Sequence, residues 1–196
     1  MGIIRYHWET FEFEESEFTT SEPSQYYGFK PTDEIENAWN ELLPEHPISI
    51  PDSRLRDLGL FGAVNDSAWI RDPHNNNNIL ALPEYSVQLG CLNFLRQLGH
   101  RADRDFTHLA AFQGSDSLVW ERAYQCIERL RKAVMCWGDV GSILLHHGGN
   151  TTASGHDDTV FDFGTLHYCR NFESIVEWTR ENGVKSVTMD NLWWGE

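Results

Sequence analysis

"LGCLNFLRQLGH" (residues 89–100) and "YQCIERLRKAVMC" (residues 124–136) carry the same phrase twice. Each has a cysteine, an apolar residue, two variable residues, then Leu-Arg: Cys91 through Arg96, and Cys126 through Arg131. Apolar residues recur around both at helical spacing. Val87, Cys91, Phe94, Leu95 and Leu98 keep register in the first, and Val119, Ala123, Cys126, Ile127, Leu130 and Val134 in the second. The pattern predicts two long helices, roughly Pro83–Gly99 and Asp116–Trp137. The residues just in front of each cysteine then occupy equivalent helical positions.

Working outward, "IIRYHWETFEF" alternates and is rich in β-formers, which predicts an N-terminal strand or extended arm. "EESEFTTSEPSQYYGFKP" is polar and reads as a loop. Thr32-Asp33 caps a helix through "EIENAWNELL", with Ile35, Trp39 and Leu42–Leu43 on one face. The prolines of "PEHPISIPDS" end it. "AWIRD" reads as a short strand and "PHNNNN" as an exposed turn. "SILLHHGG" reads as a strand running into a Gly turn. "TASGHDDTVFDFGTLHYC" reads as loop with at most one strand. Asn171 caps a last helix, "FESIVEWTREN", which Gly183 terminates. Helices outweigh strands without a regular βαβ alternation, so the expected class is α+β, helix-dominated, with a few short strands. The expected division is an extended arm over residues 1–30 and one domain over residues 31–196.

The 196 residues suffice for one core, and 40% hydrophobic content with eight Trp is globular. A net charge of −15 disfavours nucleic acid and anionic membrane surfaces, since both need basic patches. No stretch approaches the ~20 apolar residues of a membrane span. Four cysteines, Cys91, Cys126, Cys136 and Cys169, leave three two-disulfide connectivities open, beside four buried thiols. None forms a Cys-x-x-Cys pair. Asn65-Asp66-Ser67 and Asn150-Thr151-Thr152 are glycosylation sequons and point weakly to a luminal or secreted glycoprotein.

Four segments, in order and spacing, resemble the fungal UstYa-like proteins of secondary metabolism. "IENAWNELLP" resembles the family's Ala-Trp-x-x-Leu segment. "CLNFLRQ" and "CIERLRKAVMCWGDV" resemble the segments after its two motifs, and "HYCRNFESIVEW" its C-terminal His-x-Cys-Arg helix. The resemblance implies a UstYa-like fold; the expected location is the secretory-pathway (ER or Golgi) lumen, and a membrane anchor upstream of this stretch stays an open reading. It also implies a motif, His-x-x-His-Cys, present twice. Two His at i and i+3 share a helix face, and two such helices present four imidazoles to one copper ion.

Every one of those histidines is replaced. The first motif becomes Val87-Gln88-Leu89-Gly90-Cys91 and the second Arg122-Ala123-Tyr124-Gln125-Cys126. Val and Gly cannot bind metal, and Arg is a permanent cation. The expectation is a site without metal or other cofactor. It holds a polyketide- or peptide-type small molecule for redox-neutral ring closure of the Diels–Alder or Michael type. Arg122 and Gln125 then polarise a carbonyl, and Asp139 accepts a proton or fixes Arg122. Val87 and Gly90 make room opposite, with Trp120, Tyr124 and Trp137 as substrate-binding aromatics. A surface ion pair of Arg122 with Asp116 or Glu121 is an equally good reading.

Two other readings stay open. His146, His147, His156 with Asp157-Asp158, and His167 rebuild a copper oxidase site; adjacent strand residues face opposite ways, which weakens the first two. His156-Asp157-Asp158 reads best as a solvated turn, and His167 as a residue that orients structure. Alternatively, the chain is a non-catalytic partner of a homologous protein, in a homo- or hetero-oligomer. For the cysteines, a Cys136–Cys169 bridge would pin the last helix, and Cys91 and Cys126 would pair across the two long helices.

Overall fold

The computed structural model describes residues 8–12, 24–28, 30–59, 69–151, 157–162 and 166–188. Their order is β1 (Trp8–Glu12), α1 (Asp33–Glu41), β2 (Ile48–Ile50), a 3-10 helix (Asp52–Leu58), β3 (Arg71–Asp72) and β4 (Asn78–Ala81). Then follow α2 (Glu84–Gly99), a 3-10 turn (Ala110–Phe112), α3 (Asp116–Trp137), β5 (Leu144–Thr151), β6 (Asp157–Asp162), β7 (Leu166–Arg170) and α4 (Phe172–Glu181). The domain is helix-dominated α+β. Its strands form small antiparallel sheets: β1 with β7, β2–β4–β3, and β5 with β6.

Local chemistry starts the helices where side chains can satisfy the first amides. Thr32 Oγ1 accepts from the Ile35 amide, Ser115 Oγ from Leu118, and Asn171 Oδ1 from Ser174. Asp33, Glu34 and Glu36 crowd the first turn of α1, where the helix dipole favours negative charge. The 3-10 helix of residues 52–58 stops at Gly59, whose φ of 76° suits glycine.

The doubled phrase builds the centre of the fold. Cys91 and Cys126 form a disulfide with their Cα atoms 5.0 Å apart. On one side of it, Glu84 at the start of α2 meets Arg129, with Oε2 2.8 Å from Nη2. On the other, Arg101 just beyond α2 lies over the Trp120 ring, 5.5 Å from its centroid. The two helices therefore run antiparallel. Phe94, Leu98, Ala111, Val119 and Ala123 pack around the disulfide as the main buried cluster. Phe112 caps it, edge-on to Phe94 and stacked on Phe106.

The two Leu-Arg pairs have different fates. Arg96 is nearly buried and donates to Glu36 Oε1 of α1 (2.6 Å) and to Asn93 Oδ1 (2.8 Å). Gln97 donates to the other Glu36 oxygen at 2.7 Å. Two donors thus satisfy a carboxylate that burial would otherwise strand. Arg131 stands exposed on α3 and pairs only locally with Glu128, three residues back. A second, smaller core lies under β2–β4–β3, where Ile48, Ile50, Leu55 and Ile79 meet Trp178 of α4.

Several expectations change. β2 and β4 had no strand expectation; they are strands because each supplies the other's hydrogen bonds across some 30 residues, as in Ile48↔Ala81. "AWIRD" contributes only Arg71–Asp72 as β3. "HHGG" does not turn: β5 runs on through Thr151, with a register shift after His147. The stretch read as loop forms both β6 and β7, and Asp157–Asp158 open β6 rather than a solvated turn. The expected N-terminal strand or arm is a strand at Trp8–Glu12, and it pairs with β7 from Trp8↔Arg170 to Glu12↔Leu166. Cys136 and Cys169 are free thiols, exposed and half-buried respectively. The bridge between them is replaced by contacts of their neighbours, Trp137 with Arg170 and Asp139 with His167. The sequon at residues 65–67, Thr152 of the second sequon, and His156 lie outside the described residues.

The covalent pattern has a direct check. Alkylating the denatured, unreduced protein should add two labels, and four after reduction. Replacing both Cys91 and Cys126 by Ala should remove about 4 kcal/mol, from the loop entropy of a 35-residue separation. That corresponds to a Tm fall of roughly 8–15 °C in calorimetry.

Candidate functional site

The antiparallel register decides what the positions before each cysteine can do. Val87 and Arg122 each stand four residues before their cysteine, so they lie on opposite sides of the disulfide. At 1.5 Å rise per residue they are about 12 Å apart along the helix axis. Gly90 and Gln125, one residue before each cysteine, stay beside the crosslink. The pocket expected between Val87–Gly90 and Arg122–Gln125 is thus not a facing arrangement.

Arg122 is buried, with 8% of its surface exposed. Its Nη1 donates to the carbonyls of Ala111 (3.2 Å) and Gln113 (2.6 Å). The side chain ties the segment before α3 onto the helix. A guanidinium suits this role because it stays charged and offers several donors in a fixed fork. Arg122 is absent from the groove described below, and among the described residues no ion pair joins it to Asp116 or Glu121.

Val87 and Gly90 are half-buried on α2. Trp120, Tyr124 and Gln125 are exposed, and with Ser117, Glu128 and Lys132 they line one shallow, open groove along α3. The Trp120 and Tyr124 rings sit 6.3 Å apart and tilted. Their spacing of four residues places them on one helix face. This groove gathers three of the residues expected to meet substrate, without Arg122.

Asp139 and Trp137 lie at the other end of α3. Twelve residues of helix separate Gln125 from Trp137, about 18 Å. The expected site residues therefore fall into two groups. At this second location Asp139 Oδ2 is 2.5 Å from Nδ1 of His167 on β7. The Gly141 amide donates to Asp139 Oδ1 at 2.7 Å. That amide, then the His167 ring, hold the Asp139 carboxyl below the usual carboxylate range. A Cβ at Gly141 would come within 3.2 Å of the His167 ring and 3.0 Å of Asp139 Oδ1, so glycine permits the close approach. Arg170 lies over the Trp137 ring, 4.1 Å from its centroid. Sequence reasoning named Asp139 but read His167 only as an orienting residue. The pairing joins residues 28 apart, and only the path from α3 to β7 reveals it.

Of the histidines expected to rebuild a metal site, the three that are described, His146, His147 and His167, form no metal-ligand cluster. His146 and His147 are neighbours on β5, paired with Val160 and Thr159. Among the described residues no three His, Cys, Asp or Glu side chains converge as metal ligands. The four positions before the cysteines offer no imidazole, and one of them is a buried guanidinium. These residues do not fit a copper ion.

Two substitutions separate the ties. Arg122→Ala leaves two carbonyls unsatisfied and should cost about 1–3 kcal/mol, at every pH between 3 and 8, because the guanidinium does not titrate there. Asp139 has a depressed pKa, so its contribution is fully present above the ordinary carboxylate range and is lost as pH falls from there through the lowered folded-state pKa. Asp139→Asn should therefore flatten only the acid limb of a Tm-against-pH profile.

The profile of the family described as "Mycotoxin biosynthesis protein UstYa" matches residues 2–182. A protein named UstYa family oxidase phomYc, from Diaporthe leptostromiformis, is 32% identical over 164 residues, covering 84% of this chain and 61% of that protein. Another from that organism, UstYa family oxidase phomYc', is 30% identical over 87% of this chain and 57% of its own length. Transacylase cctO, from Talaromyces islandicus, is 30% identical over 82% of this chain and 53% of its own. The chain thus spans about three fifths, or less, of the length of these relatives. No solved structure matches it. With the profile covering most of its length, the chain belongs to the UstYa family of fungal secondary-metabolite biosynthesis.

Proposed function

We propose that the protein is a metal-independent, redox-neutral cyclase that closes a ring in a polyketide- or peptide-type precursor. The observation that carries this reading is the residue chemistry at the four positions before Cys91 and Cys126. Val87, Gly90, Arg122 and Gln125 supply no imidazole, and Arg122 is committed to two main-chain carbonyls. A relative named transacylase lends support, because acyl transfer is also redox-neutral.

The chemistry asked of the chain is modest. Folding a flexible precursor so that its reacting ends meet removes much of the entropic barrier. The exposed Trp120 and Tyr124 offer a flat apolar surface for an unsaturated substrate. The Gln125 amide, beside them in the same groove, can donate to a carbonyl and draw electron density from the reacting double bond. Proton traffic, where the ring closure needs it, falls to Asp139 with its His167 partner. The work takes place in the secretory-pathway lumen, where the Cys91–Cys126 disulfide persists.

Two observations favour other readings. Relatives named oxidase favour oxidative chemistry. Exposed apolar residues at the end of α3 and on β5, among them Val134, Met135, Trp137 and Leu145, favour assembly with a homologous protein.

One assay separates all three. The linear precursor that accumulates when this gene is deleted is given to the purified protein, with and without chelator and oxygen. An isomeric product of equal mass, unaffected by either, is the expected result. Gln125→Ala should slow its formation about tenfold or more at unchanged Tm. A product two hydrogens lighter, abolished by chelator, overturns the reading in favour of an oxidase. Product that forms only when a homologous family protein is added overturns it in favour of a partner subunit.

A further inference from the structure

We infer that the pocket between the end of α1 and the end of α4 binds a zwitterion: a free amino acid or a dipeptide with apolar side chains.

The pocket forms where two stretches of chain are tied together. One runs from the end of α1 through Pro44 and Pro47 into β2, and the other leaves α4 through Gly183 to Lys185 and beyond. Ile48 bridges Gly183, and the Val184 amide donates to the Pro47 carbonyl at 2.8 Å. His46 Nδ1 donates to the Val187 carbonyl at 2.9 Å, and Arg180 Nη2 to the Glu41 carbonyl at 2.7 Å. A Cβ at Gly183 would come within 3.0 Å of His46 Cβ, so glycine lets the two stretches close on each other. The walls are thus set before a ligand arrives, which lowers the cost of binding. The pocket encloses about 590 Å³, within the range of small-molecule sites.

Its charges are of both signs and are left unneutralised. Glu41 and Glu45 line it from the α1 side, Arg180 and Lys185 from the α4 side. Acidic residues outnumber Lys and Arg 30 to 15 in the chain, yet neither Arg180 nor Lys185 forms an ion pair. The Glu41 carboxylate has no cation partner either, and Glu45 comes no nearer to one than 3.9 Å, at His46 Nε2. That separation is too long for a hydrogen bond. A simple anion or a simple cation would meet as many like charges here as opposite ones. A ligand carrying one ammonium and one carboxylate a few bonds apart satisfies both sides at once, through charge-assisted hydrogen bonds.

The floor selects for an apolar side chain. Pro44 and Thr179 are buried and Leu43 is half-buried. Thr179 spends its hydroxyl on the Ile175 carbonyl at 2.8 Å, which leaves its methyl group for contact. None of these residues lines the α3 groove, so the inference does not rest on the cyclase reading.

The probes are L-leucine and L-leucyl-L-leucine, titrated into the whole protein and followed by ligand-observed NMR. At least one should saturate with a Kd of about 1 mM or tighter; leucine alone identifies the free amino acid as the ligand, the dipeptide alone a short peptide. The N-acetylated and C-amidated forms of that probe should each bind about tenfold more weakly, because each lacks one charge. Lys185→Gln, and the double change Glu41→Gln with Glu45→Gln, should each weaken binding about tenfold at unchanged Tm. These side chains are exposed and hold no other element in place, so the variants should fold. Lys132→Gln in the α3 groove should leave the affinity as it is. Neither probe saturating by about 10 mM, blocked forms that bind as tightly as the zwitterion, or an affinity unchanged in either pocket variant each overturns the inference.

Discussion

The disulfide between Cys91 and Cys126 is the constraint on which the rest depends. It joins equivalent points of a doubled phrase, and because α2 and α3 run antiparallel, the two copies point away from each other. The core forms around it from residues that follow the first cysteine and precede the second: Phe94 and Leu98, Ala123 and Val119. Val87 and Arg122, four residues before each cysteine, are thrown to opposite sides, while Gly90 and Gln125 stay beside the crosslink. An ion shared by all four would need side chains to reach across that offset, and this chain supplies instead a valine, a glycine, a glutamine and a buried arginine.

Arginine illustrates how environment sets the role of one side chain. Arg96 is enclosed with Glu36 and Gln97 and binds α1 to α2. Its sequence counterpart Arg131 is exposed, and its pair with Glu128 is of the kind that contributes little. Arg122 serves main-chain carbonyls and has no counterpart in α2 at all. Repetition in sequence conserved the helix and its crosslink, not the contacts made by each repeated residue.

The length of α3 links fold to chemistry. Its first half is core, with Val119, Arg122, Ala123 and Cys126 buried; its last turns are exposed. That projecting end carries Trp137, and just beyond it Asp139, to the strand that holds His167 and Arg170. The α3 groove, which includes Tyr124 and Gln125 of the second motif, and the α3–β7 junction therefore stand towards two ends of one helix.

The four helices were legible in the chain because their causes are local. Thr32, Ser115 and Asn171 cap their own first turns, and the apolar period of the long helices is carried within each segment. The missing histidines were equally plain, since residue identity alone excludes imidazole. β2, β4 and β7 were not legible: strands of three to five residues exist only through partners far along the chain, and Leu166–Arg170 pairs with Trp8–Glu12. The sequence by itself therefore determined the helical frame and the absence of histidine from the four positions before Cys91 and Cys126, while it left the pairing of the cysteines open. Only the tertiary structure decided that Arg122 is a buried tie, that Cys136 and Cys169 stay apart, and that His167 meets Asp139. Those outcomes follow from which surfaces the antiparallel crosslink brings together, and no local pattern records them.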